Sequence, residues 1–212
     1  MNFNEYKEKI KNVPYTDSLE YQQAILWLHP EILPLGVVSI GNPGCSIIKV
    51  PEKVTNKYGR IVPVIAISKK AFFEKKDLTD IVLPHCIERI PMGAFAGCSS
   101  LKAITIPRKV KIIKEGTFAG CNQLEDIYYE GTMEEWEKID IVHQKHEIEF
   151  GKLISGTPVH EIQSERMLNI PGNEALFSAN IHFRCKLSEQ EQNSVFELKT
   201  GNKDITDFFR II

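Results

Sequence analysis

The sequence repeats itself between residues 93 and 131. Residues 93–110 read GAFAGCSSLKAITIPRKV, and residues 116–131 read GTFAGCNQLEDIYYEG. Three phenylalanines mark a period of 23 residues: Phe72, Phe95 and Phe118. Other apolar columns keep the same spacing, namely Leu78, Leu101 and Leu124; Ile81, Ile104 and Ile127; Ile67, Ile90 and Ile113; and Val64, Ile87 and Val110. Apolar positions that recur at a fixed period of this length are typical of a solenoid.

Each repeat contains one short predicted strand, written LTDIVLP in one copy and LKAITIP in the next. Successive side chains of a strand point to opposite faces, so the isoleucines are expected inside and their neighbours outside. Pro84 and Pro107 end the strands because proline has no N–H for the ladder. We call the outward row the outer face, and it comprises Asp80, Val82, Ala103, Thr105, Asp126 and Tyr128, with His85 and Arg108 just beyond the prolines.

The other side of each coil reads I-x-x-x-A-F and is expected to place one phenylalanine under the sheet, so that like residues stack on like. The sequence therefore predicts an α/β repeat protein, a short right-handed solenoid with one parallel β-sheet and short turns or 3-10 segments on its other side. The expected coils span about residues 48–67, 68–87, 88–110 and 111–131.

The motif I-x-x-x-A-F-x-x-C-x-x-L-x-x-I-x-[LI]-P closely resembles the Treponema-type, or BspA-like, leucine-rich repeats over about residues 61–131. Residues 45–67 resemble the opening hairpin-like unit of that family, with a turn at residues 56–59. Residues 128–141 resemble its degenerate last unit, with Gly131, Trp136 and Ile139 in the expected places, and residues 176–183 resemble the strand that closes it. Because the family is known mainly for surface-exposed bacterial proteins that bind other proteins, the resemblance implies a protein partner.

The segments outside the repeats are expected to cap a solenoid at residues 45–142, whose full coils span about 65–131. Residues 1–44 form the N-terminal helical cap, in which an apolar stripe after Asp17 or Ser18 predicts a helix that ends before Pro30. Residues 143–212 form the C-terminal cap, with a hairpin at 151–163 and a short helix begun by Ser188 and Glu191. The apolar tail at 204–212 is expected to dock on the body or on another chain.

The charge balance argues against two classes of partner. The chain has 26 Lys and Arg against 28 Asp and Glu, a net charge of −2, so we expect neither nucleic-acid nor membrane-surface binding. The apolar run at 24–40 is interrupted by His29, Pro30, Glu31 and Pro34, which argues against a membrane span. The N-terminus does not read as a secretory signal and predicts a cytoplasmic protein, whereas the resemblance implies a secreted or cell-surface one.

Five cysteines without a CxxC motif predict neither a disulfide framework nor a thiolate zinc site. Cys98 and Cys121 stack one coil apart, as a redox staple or, the interpretation we favour, as small buried thiols. His143 and His146 in HQKHEIE lack the helical spacing of a metal motif, and no nucleophile elbow or phosphate loop is found. We therefore predict no catalytic residue, no metal and no cofactor.

Two functions follow from these observations. The first is a non-catalytic protein-interaction module that binds through the outer face, at Asp80, Val82, Ala103, Thr105, Asp126 and Tyr128, together with Arg108. The alternative is a carbohydrate-binding or enzyme-accessory protein that uses exposed aromatics or the C-terminal region. Tyr128 is read either as a binding hot spot or as a cover for a sheet edge, and Trp136 is expected to cap the core.

Overall fold

The computed structural model describes residues 1–16, 19–23, 35–40, 46–56, 58–141, 172–186 and 195–197, with only the backbone at 20–23, 35–40 and 195–197. The helices are α1 (Phe3–Lys11), α2 (Met133–Trp136) and α3 (Glu174–Ser178). The strands are β1 (Leu19–Gln23), β2 (Leu35–Ile40), β3 (Ile47–Lys49), β4 (Lys53–Thr55), β5 (Ile61–Ile67), β6 (Asp80–Val82), β7 (Arg89–Ile90), β8 (Ala103–Ile106), β9 (Ile112–Ile113), β10 (Asp126–Tyr129), β11 (Asp140–Ile141), β12 (Asn180–His182) and β13 (Val195–Glu197).

The predicted parallel sheet is present, with the strand order β12-β10-β8-β6-β3. Its register follows the 23-residue period, because Ile81 pairs with Ile104 and Ile104 pairs with Ile127. The same inward column continues beyond the repeats to Ile48 in β3 and Ile181 in β12. All strand pairs of this sheet are parallel, so each strand is reached by a crossover around the coil.

The three repeat phenylalanines stack inside one core, as the period predicts. The ring centroids of Phe72 and Phe95 lie 5.3 Å apart, and those of Phe95 and Phe118 lie 5.5 Å apart. All three side chains are fully buried, together with the inward isoleucines of the sheet. Residues that are 23 positions apart therefore build a continuous column that no single coil could bury alone.

The predicted fold class is confirmed, and the structure adds two further sheets to the one that was predicted. On the second side of the coils, β7, β9 and β11 pair in parallel through Ile90, Ile113 and Ile141 where turns were expected. The backbones of successive coils come close enough at these isoleucines to exchange ladder hydrogen bonds. These positions therefore form strands of two residues instead of isolated turns. A third sheet has the order β1-β2-β5-β4-β13.

The predicted opening hairpin is confirmed between β4 and β5, which pair in antiparallel fashion from Val54 with Val62 outward. Its turn is held by the side chain of Asn56, whose Oδ1 accepts hydrogen bonds from the backbone N–H groups of Tyr58 and Arg60, both at 3.0 Å. Asn is favoured in such turns because its short side chain satisfies the backbone locally.

The helix predicted from the apolar stripe that follows Asp17 or Ser18 is wrong over its first turn, because Leu19–Gln23 is strand β1. This strand pairs with β2, and β2 pairs with β5, so ladder hydrogen bonds to the opening hairpin replace those of a helix. Tertiary pairing here overrides the helical preference of Leu, Glu and Gln.

The N-terminal helix is instead α1, and a signal for it is present in the sequence. The Asn2 side chain accepts a hydrogen bond from the Glu5 backbone N–H at 2.9 Å, and the Glu5 carboxylate accepts one from the Asn2 N–H at 3.1 Å. This reciprocal pair is a capping box, which satisfies two of the free N–H groups at a helix start. After α1 the chain returns to the solenoid at Thr16, whose N–H donates to the Lys49 carbonyl at 2.9 Å.

The C-terminal end of the solenoid follows the pattern implied by the resemblance. Trp136 on α2 packs against the core, and β12 adds to β10 as the closing strand. The predicted hairpin at 151–163, the helix begun by Ser188 and Glu191, and the apolar tail at 204–212 lie outside the described residues.

Candidate interaction face

The six predicted strand residues of the outer face lie side by side on β6, β8 and β10. Asp80 and Val82 are in register with Ala103 and Thr105, which are in register with Asp126 and Tyr128. The expectation that this row meets solvent is wrong, because all six residues are buried. Thr105, for example, accepts a hydrogen bond from the Leu83 backbone N–H at 3.0 Å.

Helix α1 covers the outer face. Its side chains Tyr6 and Ile10 are fully buried in a second cluster with Val82, Ala103 and Tyr128, and Phe3 packs beside them. These three anchors are spaced at i, i+3 and i+7, which places them on one side of a helix. The amphipathic pattern of α1 therefore matches the apolar part of the outer face.

Opposite charges pin the same helix to the sheet. The Lys9 ammonium donates to both carboxylate oxygens of Asp80 at 2.7 Å. Thr79 Oγ1 donates to Asp80 Oδ2 as well, so this fully buried carboxylate is well hydrogen-bonded. The Lys9 side chain is 36% exposed, whereas that of Asp80 is fully buried. The pair helps to fix the orientation of the docked helix, because removal of Lys9 leaves a buried carboxylate without its counter-charge.

Asp126 forms the second polar contact of the face. Its carboxylate lies 2.7 Å from Nε2 of His182 and 3.0 Å from the Met1 amino group. Burial tends to raise the pKa of Asp126, but the hydrogen bonds from His182 and from the amino group outweigh burial and lower it. The ionised carboxylate is therefore the stable form at this position.

An aromatic stack crosses the centre of the face. The Tyr128 ring lies between Tyr6, with a centroid distance of 4.1 Å, and His182, with a centroid distance of 4.9 Å. Tyr128 is thus part of a buried joint between α1, the sheet and β12, and it is neither an exposed hot spot nor the cover of a free edge. Its hydroxyl donates to the Met1 carbonyl at 2.9 Å.

The two residues just beyond the prolines differ from the covered row. Arg108 is exposed and forms an ion pair with Glu135 on the first turn of α2. His85 contacts Glu52 of the turn between β3 and β4, and Cys86 on its other side. Arg108 therefore lies outside the surface that α1 covers.

The aromatics at the C-terminal end of the solenoid belong to its core. Tyr129 is buried, and Trp136 meets it edge to face with a centroid distance of 5.2 Å. This contact places Trp136 over the last coil, as expected of a cap. Tyr128, Tyr129 and Trp136 therefore do not offer an open aromatic platform for a sugar ring.

The repeat cysteines fill the interior as thiols. Cys98 Sγ donates to the Phe72 carbonyl at 3.0 Å, and Cys121 Sγ donates to the Phe95 carbonyl at 3.2 Å, so each thiol ties one coil to the one before it. Burial raises the pKa of Cys98 to about 11 and that of Cys121 to about 12. Both side chains therefore stay protonated at neutral pH and serve as packing groups.

Sequence reasoning missed two features of this region. Helix α1 was signalled by Asn2 and Glu5, three residues apart at the start of an apolar pattern. Glu52 was not singled out, because its proximity to His85 and Cys86 depends on the turn between β3 and β4. His143 and His146 lie outside the described residues.

The stacked coils, the parallel sheet and the inward isoleucine column define a leucine-rich-repeat solenoid. Residues 64–144 match the family described as the BspA type leucine rich repeat region, with six copies. The repeat region of this chain is therefore similar to the BspA type leucine rich repeat region.

Three solved structures are similar to the chain. A Treponema pallidum leucine-rich repeat protein is 21% identical, with a TM-score of 0.44, and the match covers 55% of this chain and 52% of that one. A Bacteroides ovatus leucine-rich repeat protein is 27% identical, with a TM-score of 0.43 and coverages of 55% and 31%. A Bacteroides capillosus leucine-rich repeat protein is 25% identical, with a TM-score of 0.46 and coverages of 54% and 80%.

The match thus spans about half the length of the T. pallidum protein. No curated protein matches the sequence. Within the described part of the chain, no helix has the length and apolar character that crossing a membrane requires.

Proposed function

We propose that this chain is a non-catalytic protein-interaction module whose outer face binds an amphipathic helix of a protein partner. The observation that carries the proposal is the docking of α1 on that face by three apolar anchors and one lysine. Helix-in-groove recognition uses the same elements, namely apolar side chains at i, i+3 and i+7 in a complementary surface. Helix α1 thus occupies the face in the unbound chain. A partner helix that fits the face is expected to have side chains of the same kind.

The chemistry of the face favours binding over catalysis. Burial, followed by the nearby Asp80 and Tyr128, raises the pKa of Tyr6, and burial raises that of Cys185 to about 11. Neither group is therefore a nucleophile or base at neutral pH. The Asp80 carboxylate is already bound by Lys9 and Thr79, which suits a fixed charge that selects a basic partner.

Helix α1 is an imperfect occupant, which leaves room for a competitor. Among the described residues, the buried Tyr6 hydroxyl has no hydrogen-bond partner. A buried hydroxyl without a partner costs roughly 1–3 kcal/mol. The helix also has only nine residues, so little of its stability is its own, and it depends on the contacts with the face.

The partner helix is defined by what the face offers. It carries apolar or aromatic side chains in place of Phe3, Tyr6 and Ile10, and a lysine or arginine that reaches Asp80. A partner with a phenylalanine in place of Tyr6 avoids the unpaired hydroxyl and is expected to bind more tightly than α1 itself.

A charge-swap experiment with a labelled peptide of residues 1–12 tests the proposal. In the Lys9→Glu chain, two carboxylates meet at Asp80 and the chain's own helix is repelled from the face. The wild-type peptide is expected to bind this chain, and a Lys9→Glu peptide is expected to bind the Asp80→Lys chain. The two mismatched combinations are the wild-type peptide with the Asp80→Lys chain and the Lys9→Glu peptide with the Lys9→Glu chain. They are expected to bind at least about tenfold more weakly, because each leaves like charges together in a buried site.

Arg108→Glu provides the matched control, because Arg108 is a charged residue of the same solenoid outside the covered surface. Introduced into the Lys9→Glu chain, it is expected to leave peptide affinity unchanged. If both peptides bind both chains equally, or if neither binds, then the outer face does not recognise helices of this type and the proposal fails.

A further inference from the structure

Three potential metal ligands meet at the end of β6, outside the six strand residues of the outer face. Glu52 comes from the turn between β3 and β4, and His85 and Cys86 follow Pro84. Each residue offers one ligand atom, namely a carboxylate oxygen, a ring nitrogen and a thiol sulfur. These three atoms lie within 4.8 Å of one another. The imidazole is central, with Nδ1 2.6 Å from Oε2 of Glu52 and Nε2 3.4 Å from Sγ of Cys86.

The turn holds the carboxylate in place before any ligand arrives. The backbone N–H of His85 donates to both oxygens of Glu52, at 3.0 and 3.1 Å. The Glu52 side chain is only 10% exposed, whereas the His85 side chain is 31% exposed. The cluster is therefore pre-arranged on its inner side and open to solvent on its outer side.

The cluster is not satisfied by its own hydrogen bonds. Although Nδ1 of His85 lies close to Glu52, the two groups are not aligned for a hydrogen bond, and within the described residues this buried nitrogen has none. A cation bound at Nε2, on the Cys86 side of the ring, would bring a compensating positive charge close to this buried carboxylate.

We propose that Glu52, His85 and Cys86 bind a thiophilic divalent cation of the zinc type, with the remaining position open to water. Carboxylate, imidazole and thiolate are the ligand types that proteins use for zinc, and three protein ligands plus water is a known coordination pattern. In a tetrahedral zinc site, a sulfur and a nitrogen ligand lie about 3.5 Å apart. The 3.4 Å between Cys86 Sγ and His85 Nε2 already matches that separation.

The charged groups around the cluster limit the affinity. Lys53, Lys109 and Lys186 act on His85 electrostatically and oppose a cation, whereas Glu130 near Glu52 and Glu88 near Cys86 favour it. Binding converts the Cys86 thiol to a thiolate, and its proton passes to solvent. The bound ion joins the opening hairpin to the end of β6, so it is expected to raise the stability of the first coil.

Titration of the full chain with cobalt(II) chloride tests the site, because a bound thiolate gives a cobalt charge-transfer absorption. The wild-type chain is expected to show this absorption at one ion per chain, and excess zinc chloride is expected to remove it, whereas magnesium chloride is not. Cys86→Ser is expected to abolish it, and Glu52→Gln is expected to weaken cobalt affinity at least about tenfold, because it replaces one of the three proposed ligands by a neutral amide.

Two controls separate this site from other sources of binding. Cys185→Ser removes a different thiol, and His143→Asn with His146→Asn removes the H-x-x-H pair, and both variants are expected to keep the absorption. The proposal is overturned if the wild-type chain binds no cobalt, or if binding survives Cys86→Ser and is lost in the double histidine variant. Because the outer face is not involved, failure here leaves the helix-binding proposal intact.

Discussion

At the scale of single residues, two tyrosine hydroxyls on the outer face differ in their hydrogen bonding. Within the described residues the Tyr6 hydroxyl has no partner, whereas the Tyr128 hydroxyl donates to the Met1 carbonyl. Tyr6→Phe is therefore expected to leave the free energy of unfolding unchanged or to raise it by about 1 kcal/mol. Tyr128→Phe is expected to lower it by about 0.5–1.5 kcal/mol.

Denaturant titration of the two variants measures this difference under one set of conditions, and each variant controls for the loss of an oxygen atom in the other. A loss of stability in Tyr6→Phe as large as in Tyr128→Phe would mean that the Tyr6 hydroxyl is satisfied and that α1 fits the face better than described.

Asp126 makes the free energy of unfolding depend on pH. Burial raises its pKa, but the hydrogen bonds from His182 and the Met1 amino group lower it below its ordinary value of 3.8. A carboxylate whose pKa is lower in the folded state stabilises the fold above its unfolded pKa, and this contribution is lost as pH falls through the folded pKa. Asp126→Asn is expected to cost about 1–3 kcal/mol at pH 7 and progressively less below about pH 4.

The free energy of unfolding of wild type and Asp126→Asn, followed from pH 7 to pH 3, checks the sign. Glu125→Gln is the matched control, because Glu125 is exposed and immediately precedes Asp126. A difference between wild type and Asp126→Asn that grows as the solution is acidified would contradict the account.

At the scale of one coil, the turns repeat a backbone conformation that only glycine adopts easily. Gly97 and Gly120 have φ of 78° and 74°, and Glu74 takes the equivalent place in the preceding coil with φ of 55°. A left-handed conformation costs a residue with a side chain roughly 1 kcal/mol. Glu74→Gly is therefore expected to stabilise the fold by about 0.5–1 kcal/mol.

Gly97→Ala is the reciprocal change and is expected to destabilise the fold, because a Cβ there would lie 3.0 Å from Cγ of Glu74 in addition to the backbone strain. Thermal unfolding is expected to show a higher melting temperature for Glu74→Gly and a lower one for Gly97→Ala than for the wild-type chain. Destabilisation by both would show that the Glu74 side chain contributes more than its backbone conformation costs.

The stack of phenylalanines is the element on which the repeat depends. Phe95 lies between Phe72 and Phe118, so Phe95→Ala is expected to leave a cavity and cost roughly 3–5 kcal/mol. Thr105 is not a suitable reference because it is buried, whereas Lys102 is exposed on the same coil, and Lys102→Ala is expected to change stability by less than about 0.5 kcal/mol. If urea titration gave equal losses of stability for Phe95→Ala and Lys102→Ala, the stacked phenylalanine column would not be the element on which the fold depends.

The elements that the sequence predicted are those fixed by repetition. The register of Phe72, Phe95 and Phe118 repeats the same packing in each coil, so the sheet, the core and the buried thiols were accessible to reasoning from period alone. Strand β1 was predicted as a helix because its own residues do not indicate that it pairs with β2. Its conformation depends on that pairing.

At the scale of the whole molecule, the outer face was predicted correctly in its composition and wrongly in its exposure. Strand alternation determines that Asp80, Thr105 and Tyr128 share a face, but it does not determine what covers it. The cover comes from residues more than 60 positions away in sequence from Asp80, as in the contact with Lys9. Contacts of this range depend on the path of the chain after α1, which turns at Thr16 onto β3.

We infer that α1 is a removable cover on a face that the repeats form without it. Native-state amide hydrogen exchange tests it most directly, because it reports the opening of each element separately. In the wild-type chain the amides of Tyr6 and Ile10 are expected to be protected, though less than those of Ile104 and Ile127 in the sheet. In Asp80→Asn, protection of the α1 amides is expected to fall about tenfold or more, while that of the sheet amides is unchanged. Unprotected α1 amides in the wild-type chain, or an equal loss of protection at Ile104 and Ile127 in Asp80→Asn, would contradict the account.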